Sequence, residues 1–194
     1  TFVMDRLNLP AAADRPAAEF PAGDGLAITL GLLHVPLLAG GVWAIGTDSG
    51  LATLDKVALF IALALYMGQV SNSNAHELIH RAPRWMRRLG TANYVTLLHG
   101  QHVSAHRLVH HRFVGTKDDP NTPLSGESFW RYLPRAWIGS FKAGLAQEHA
   151  KLTRKSMPAH SLQNPYYIWV AGGALTLILA LALGGVAGLF AMIG

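Results

Sequence analysis

Cysteine is absent from the 194-residue chain. Without a thiol the chain has no disulfide, no thiolate zinc site, no iron–sulfur cluster and no cysteine nucleophile. The sequence also lacks a G-x-G-x-x-G motif and a P-loop, so no built-in nucleotide or flavin site is visible. Charged residues make up only 14% of the chain, whereas soluble domains carry roughly 25%. These shortages exclude thiol chemistry and favour a membrane protein.

Three long apolar runs account for much of the 51% hydrophobic content. We predict transmembrane helices at about residues 25–46, 51–72 and 166–190, because a helix needs about 20 residues to cross a bilayer. The third run opens with tyrosines and a tryptophan, which are typical of the membrane interface. The predicted fold class is therefore an all-α integral membrane helical bundle with cytoplasmic histidine-bearing helices. Residues 1–24 are rich in proline and alanine and are predicted to form a polar connection.

The second predicted helix does not stop at the end of its apolar run. No proline or glycine interrupts the sequence between Gln69 and Arg81, so the helix is expected to continue through His76 and His80. From Val57 to His80 such a helix measures about 36 Å, which exceeds the roughly 30 Å of the hydrocarbon core. The histidine pair is therefore predicted just beyond one membrane face.

The distribution of cations predicts the orientation. All but three of the sixteen lysines and arginines lie between Arg81 and Lys155. By the positive-inside rule, the metal-bearing region at about residues 73–160 is cytoplasmic. The net charge of +5 then reflects topology, and no nucleic-acid partner is expected.

Four shorter segments are predicted within this region. Residues 82–88 form a basic turn. Residues 91–100 are apolar but too short to span, so they lie in the interface or re-enter the membrane. Residues 112–126 form a loop rich in glycine, aspartate and proline. Residues 127–155 form an amphipathic segment on the membrane surface.

Seven of the ten histidines fall within thirty-six residues, and six of them are regularly spaced. On an α-helix, residues four apart share one face. Neutral imidazole is the commonest metal ligand. The spacing therefore predicts a metal site, and one zinc with its four ligands does not need so many imidazoles. The six are His76, His80, His102, His106, His110 and His111.

Two alternatives compete for these histidines. The sequence H-E-L-I-H is the signature of zinc proteases, in which Glu77 would be the general base. The additional histidines at positions 106, 110 and 111 disfavour that interpretation and suggest two metals. An inactive metal-binding membrane segment is the non-enzyme alternative.

The motifs resemble those of a known family. They are N-A-H-E-L-I-H-R, H-R-L-V-H-H, D-D-P and G-E-S-F-W-R-Y-L-P-R, and the match extends from about residue 25 to the end. Together they resemble integral-membrane alkane 1-monooxygenase, within the wider membrane di-iron group of fatty-acid desaturases and xylene monooxygenase.

The resemblance implies a function and a ligand set. Residues 1–194 would be part of one membrane di-iron hydroxylase domain in the cell inner membrane, multi-pass, with two non-haem Fe ions facing the cytoplasm. It would hydroxylate the terminal carbon of alkanes with O2 and electrons from rubredoxin and rubredoxin reductase. A fatty-acid desaturase or hydroxylase acting on fatty-acyl substrates is the alternative within the superfamily. The implied metal ligands, excluding His102, are His76, His80, His106, His110 and His111.

Two departures from the family pattern limit this expectation. The family has glutamate before the second histidine box, where this chain has Ala105. A third histidine box, expected downstream, does not occur before Gly194. We therefore expect a sequence truncated at both ends, with little or no activity by itself.

Several other polar residues keep two interpretations each. His34, in the middle of the first run, is either functional or a packing residue. Asp118 and Asp119 either orient ligand imidazoles or cap a turn. The arginines of residues 81–88 either dock an acidic electron donor or only set the topology.

Overall fold

The computed structural model describes residues 21–194, so most of the predicted polar segment at residues 1–24 lies outside the described residues. Within the described part of the chain, helices are the only regular elements, which confirms the all-α prediction. Two π-helical segments, π1 and π2, interrupt the α-helices. The elements are α1 (Pro21–Gly46), α2 (Thr53–Leu65), π1 (Tyr66–Ser71), α3 (Asn72–His80), α4 (Arg84–Thr96), α5 (His102–Ser104), π2 (Ala105–His110), α6 (His111–Phe113), α7 (Phe129–Arg154) and α8 (Pro165–Ile193).

Three helical stretches are long and apolar enough to cross a membrane: Gly23–Gly46, Thr53–His80 and Pro165–Ile193. The second runs without a break from α2 through π1 and α3, as the sequence predicted. Large apolar side chains on these stretches remain exposed, for example Leu54 and Ile61. Such surfaces suit contact with lipid, because the helices satisfy their own backbone hydrogen bonds.

Helices α1 and α8 pack closely where glycines meet. A Cβ atom added at Gly46 would collide with the backbone of Gly184, and one at Gly184 would lie 2.6 Å from the carbonyl oxygen of Val42. The next residue, Gly185, has φ 60° and ψ −156°, so α8 is kinked there. The predicted third helix is therefore present but kinked. The kink falls at a glycine because only glycine readily adopts a positive φ.

His34 joins three elements inside the bundle. It is fully buried on α1; its Nδ1 contacts the Ser71 hydroxyl on π1, and its Nε2 lies 2.7 Å from Thr96 Oγ1 on α4. These partners support the packing interpretation of His34. A buried polar ring needs such partners, because an unpaired one would cost free energy.

Helix α4 turns back alongside α1 and α3. Asn93 Nδ2 donates to the Gly31 carbonyl at 3.2 Å, and Asn74 Nδ2 donates to the Ala27 carbonyl at 3.0 Å. The first half of residues 91–100 therefore packs beside α1 inside the helical bundle, and its predicted place in the interface or within the membrane stays a prediction. The prediction of a basic turn over residues 82–88 was wrong from Arg84 onward, because α4 begins there. Arginine is a good helix former, so a run of arginines does not itself indicate a turn.

Candidate metal centre

The first histidine pair lies at the end of the second membrane-spanning stretch that we predicted to face the cytoplasm. His76 and His80 are one turn apart on α3, and their ring centroids are 4.9 Å apart. The helix continues because no residue between Asn72 and His80 breaks it. The sequence prediction that both rings project together is therefore confirmed.

The second histidine set lies on a π-helix, which the sequence analysis did not anticipate. The backbone N–H of His111 donates to the carbonyl of His106, an i→i+5 bond typical of π-helices. On an α-helix, residues five apart would point about 140° away from each other at ~100° per residue. The wider turn of π2 instead brings His111 Nε2 to within 2.8 Å of His106 Nε2.

Three imidazole nitrogens converge on His106. Its Nε2 lies 2.8 Å from His76 Nε2, 3.1 Å from His80 Nε2 and 2.8 Å from His111 Nε2. Burial, with a further effect of the neighbouring histidines, lowers the pKa of His106 to about 3, so its ring is neutral at pH 7. A neutral ring carries one N–H, so one nitrogen cannot make three N–H···N hydrogen bonds.

This donor set fits a metal ion. One ligand atom from each of His76, His80 and His106 lies within 4.8 Å of the others. Lone pairs that face one another without enough protons to pair them are satisfied by a cation. Imidazole suits zinc, copper, iron and nickel. The histidines therefore fit a metal that accepts nitrogen ligands.

The histidine stripe on α5 and π2 forms a stack. Ring centroids are 4.8 Å apart between His99 and His102, 5.0 Å between His102 and His106, and 5.2 Å between His106 and His110. Burial, with a further effect of the neighbouring histidines, lowers the pKa of His102 to about 3. His102 therefore lies beside the convergent nitrogens as a stacked neutral ring.

Asp119 orients His110 and also organises the following turn. His110 Nδ1 lies 2.8 Å from Asp119 Oδ2, and the Asp119 side chain is buried. The same carboxylate accepts hydrogen bonds from the Asn121 backbone and the Thr122 hydroxyl. Since a carboxylate only accepts, Nδ1 carries the proton and Nε2 is left with a lone pair. Asp119 therefore has both of the predicted roles, because it orients an imidazole and caps the turn. Asp118 is exposed.

Glu77 is exposed to solvent and paired with an arginine. Its side chain is 54% exposed, and Oε1 lies 2.8 Å from the Arg81 guanidinium. A zinc protease of the H-E-x-x-H type needs this carboxylate next to the metal-bound water. Its ion pair with Arg81 does not support that alternative.

Helix α7 supports the second histidine set from behind, and the sequence analysis missed this. A Cβ atom at Gly144 would lie 3.1 Å from the Ala105 backbone nitrogen, so α7 and π2 are in close contact. One turn further, buried Glu148 accepts a hydrogen bond of 2.5 Å from Ser104. A regular i+4 stripe of mostly small residues marks this buried face and was visible in the sequence. Its members are Ala136, Ser140, Gly144, Glu148 and Leu152.

Comparisons with known proteins place these features in a family. The fatty acid desaturase family model matches residues 52–194. Alkane 1-monooxygenase 2 of Pseudomonas aeruginosa is 27% identical over 191 residues, which cover 96% of this chain and 50% of that protein. Alkane 1-monooxygenase of Pseudomonas putida is 30% identical over 135 residues, covering 68% of this chain and 32% of that protein.

A further relative acts on a different type of hydrocarbon, according to its name. The hydroxylase component of xylene/toluene monooxygenase from Pseudomonas putida is 30% identical over 147 residues, covering 72% of this chain and 39% of that protein. The chain thus spans half or less of the length of these relatives.

Proposed function

The chain belongs to the fatty acid desaturase family, and we propose that it forms part of a membrane di-iron monooxygenase. The proposed reaction is hydroxylation of the terminal carbon of an alkane with O2. The observation that carries the proposal is the convergence of three imidazole nitrogens on His106 Nε2. The relatives named as alkane 1-monooxygenases support the choice of reaction.

Five histidines are the proposed ligands of two non-haem iron ions. Bound iron would supply oxidising power toward an unactivated C–H bond, which has no acidic proton for a side-chain base to remove. Asp119 would keep His110 in the tautomer whose Nε2 can bind metal. The proposed ligands are His76, His80, His106, His110 and His111.

The membrane-spanning stretches would provide the route for a lipid-soluble substrate. A cavity of about 380 Å³ lies among α1, α2, π1 and α8, and its walls are mostly apolar, with Leu38, Phe60 and Met67 among them. A hydrocarbon partitions into such a space because burying apolar surface is favourable. An alkane dissolved in the bilayer would therefore enter without crossing water.

Electrons would come from a separate protein. The chain has no cysteine and no dinucleotide-binding motif, so it supplies no redox group of its own besides the proposed iron. Rubredoxin and rubredoxin reductase are the proposed donors. Their approach from the cytoplasmic side of the inner membrane is supported by the clustering of lysines and arginines between Arg81 and Lys155.

Desaturation of a fatty-acyl chain is the second candidate, and the name of the matching family model favours it. Hydroxylation and desaturation both begin by removing hydrogen from an unactivated carbon, so the histidines do not separate them. Analysis of the reaction products separates hydroxylation from desaturation. Membranes carrying the complete product of the gene are supplied with rubredoxin, its reductase, NADH and either octane or an acyl substrate, under labelled O2.

Labelled 1-octanol is the expected product, and it should be lost in His106→Ala but retained in His160→Ala, whose ring is exposed. An acyl product with a new double bond and no alcohol would transfer the proposal to the desaturase. Octanol formation equal in the two variants would refute the assigned site.

A further inference from the structure

A basic cavity lies next to the helices that carry the histidines. Its volume is about 240 Å³, and it is formed where α4 meets α3, α5 and π2. Two apolar residues and a threonine accompany four arginines in its walls. The lining residues are Ile79, Arg84, Arg87, Arg88, Thr91, Val103 and Arg107.

The arginines that line the cavity repel one another. Arg84, Arg87 and Arg88 are spaced i, i+3 and i+4, so they share one face of α4. Arg107 faces them from π2. Like charges at this spacing destabilise a helix. An anion bound among them would offset this repulsion.

In the described chain, carboxylates form ion pairs with other cationic side chains but not with the arginines that line this cavity. Arg135 pairs with Glu127, and Lys151 pairs with Glu148. Within residues 21–194, Arg84, Arg88 and Arg107 make no ion pair with an aspartate or glutamate. The described chain therefore leaves three guanidinium groups available around one concave space.

One wall of the cavity is fixed in place. The Arg87 guanidinium donates to the Arg81 carbonyl at 2.9 Å and also to the Ala82 carbonyl. These bonds hold the turn between α3 and α4 closed. The cavity is therefore a concave site with a fixed wall and not a flat charged surface.

We propose that this cavity binds the phosphate group of an anionic phospholipid. Guanidinium groups bind phosphate oxygens in a planar, bidentate way. The volume corresponds to roughly eight water molecules at ~30 Å³ each, which accommodates a phosphate with its linkage. The proposal goes beyond the monooxygenase function and does not depend on it.

The position of the cavity favours a lipid as the source of the phosphate. Arg84 follows the membrane-spanning stretch Thr53–His80 by only four residues. The adjacent Trp85 is 54% exposed, as is usual for an indole at the membrane interface. Basic pockets beside membrane helices are known binding places for phospholipid headgroups. A bound headgroup would connect α4 to π2, the helix that carries His106.

The test measures lipid binding to the purified 194-residue chain in neutral detergent micelles. Dioleoyl phosphatidylglycerol is titrated and bound lipid is counted by native mass spectrometry, with dioleoylglycerol as the phosphate-free comparison. The variant Arg84→Gln/Arg88→Gln is compared with Arg131→Gln/Arg154→Gln, which removes the same charge from exposed positions on α7. Arg107→Gln changes the opposite wall without touching α4, and circular dichroism checks that each variant is folded.

Saturable binding of phosphatidylglycerol is expected, with at least a tenfold higher Kd in Arg84→Gln/Arg88→Gln and about a fivefold higher Kd in Arg107→Gln. The α7 double variant should stay within twofold of the parent chain. Equal weakening in both double variants, or equal binding of dioleoylglycerol, would overturn the proposal. Displacement of the lipid by submillimolar inorganic phosphate would overturn the lipid as the source. Another outcome is that the arginine variants bind lipid as the parent chain does but lose binding to an acidic electron-donor protein. That result would overturn the lipid proposal in favour of a protein partner.

Discussion

Replacing Asp119 by asparagine should weaken iron binding without unfolding the protein. The Asp119 Oδ2 atom accepts from two donors, His110 Nδ1 at 2.8 Å and the Thr122 hydroxyl at 2.7 Å, whereas Oδ1 accepts from the Asn121 backbone at 3.0 Å. Asparagine keeps one oxygen for the backbone bond but places an NH2 group where Oδ2 was. That group donates to Nδ1, so the ring proton moves to Nε2 and the lone pair needed for a metal is lost.

The size of the effect follows from the loss of one orienting bond. Loss of a partner that orients a metal ligand costs about 10- to 100-fold in metal affinity, equivalent to ~1.4–2.7 kcal/mol. The assay is iron content by mass spectrometry after equilibration with a competing chelator, together with thermal unfolding of the metal-free chain. Asp118→Asn is the matched control, because that neighbouring carboxylate is exposed. Iron affinities of the two variants that agree within twofold would refute the orienting role of Asp119.

Three further predictions concern stability. His34→Leu should lower the free energy of unfolding by roughly 1–3 kcal/mol, because it leaves buried hydroxyl partners unpaired; thermal unfolding should show little change for His160→Leu. Gly144→Val should cost about 1–3 kcal/mol by forcing α7 away from π2, whereas Gly40→Val, at a position with no neighbour within 4 Å, should not. Hydrogen bonds from the Arg135 guanidinium, the largest cause, lower the pKa of Glu127 to about 2 from its usual 4.5. The stabilisation from this pair is therefore complete above pH 4.5 and lost as the pH falls toward 2; Glu127→Gln should flatten that part of the stability profile, and an unchanged profile would contradict the assignment.

The membrane-spanning stretches and the first histidine pair could be predicted because their signals are local. A run of apolar residues and an i+4 spacing depend only on neighbours along the chain, and His76 and His80 lie on an uninterrupted helix as predicted. The kink at Gly185 could not be placed, since several glycines nearby offer the same freedom. The partners of His34 are 37 and 62 positions away, so only the folded chain identifies them.

The second histidine set shows where local reasoning ends. Spacing on an ideal α-helix separates His106 from His111, whereas π2 brings their Nε2 atoms together. A π-helix has no strong sequence signal of its own, and it persists here because α7 packs behind it through Gly144 and Glu148. The clustering of these histidines was thus predictable from the sequence, but the contact between two of them depends on a tertiary interaction.

The central claim is that the convergent histidines hold iron. Its most direct test is the iron content and Mössbauer spectrum of the purified chain, loaded anaerobically with labelled ferrous iron, for the parent, His106→Ala and His160→Ala. We expect tightly bound iron with a nitrogen-ligated signature in the parent and in His160→Ala, and its loss in His106→Ala. Retention of the same iron and the same spectrum in His106→Ala would contradict it.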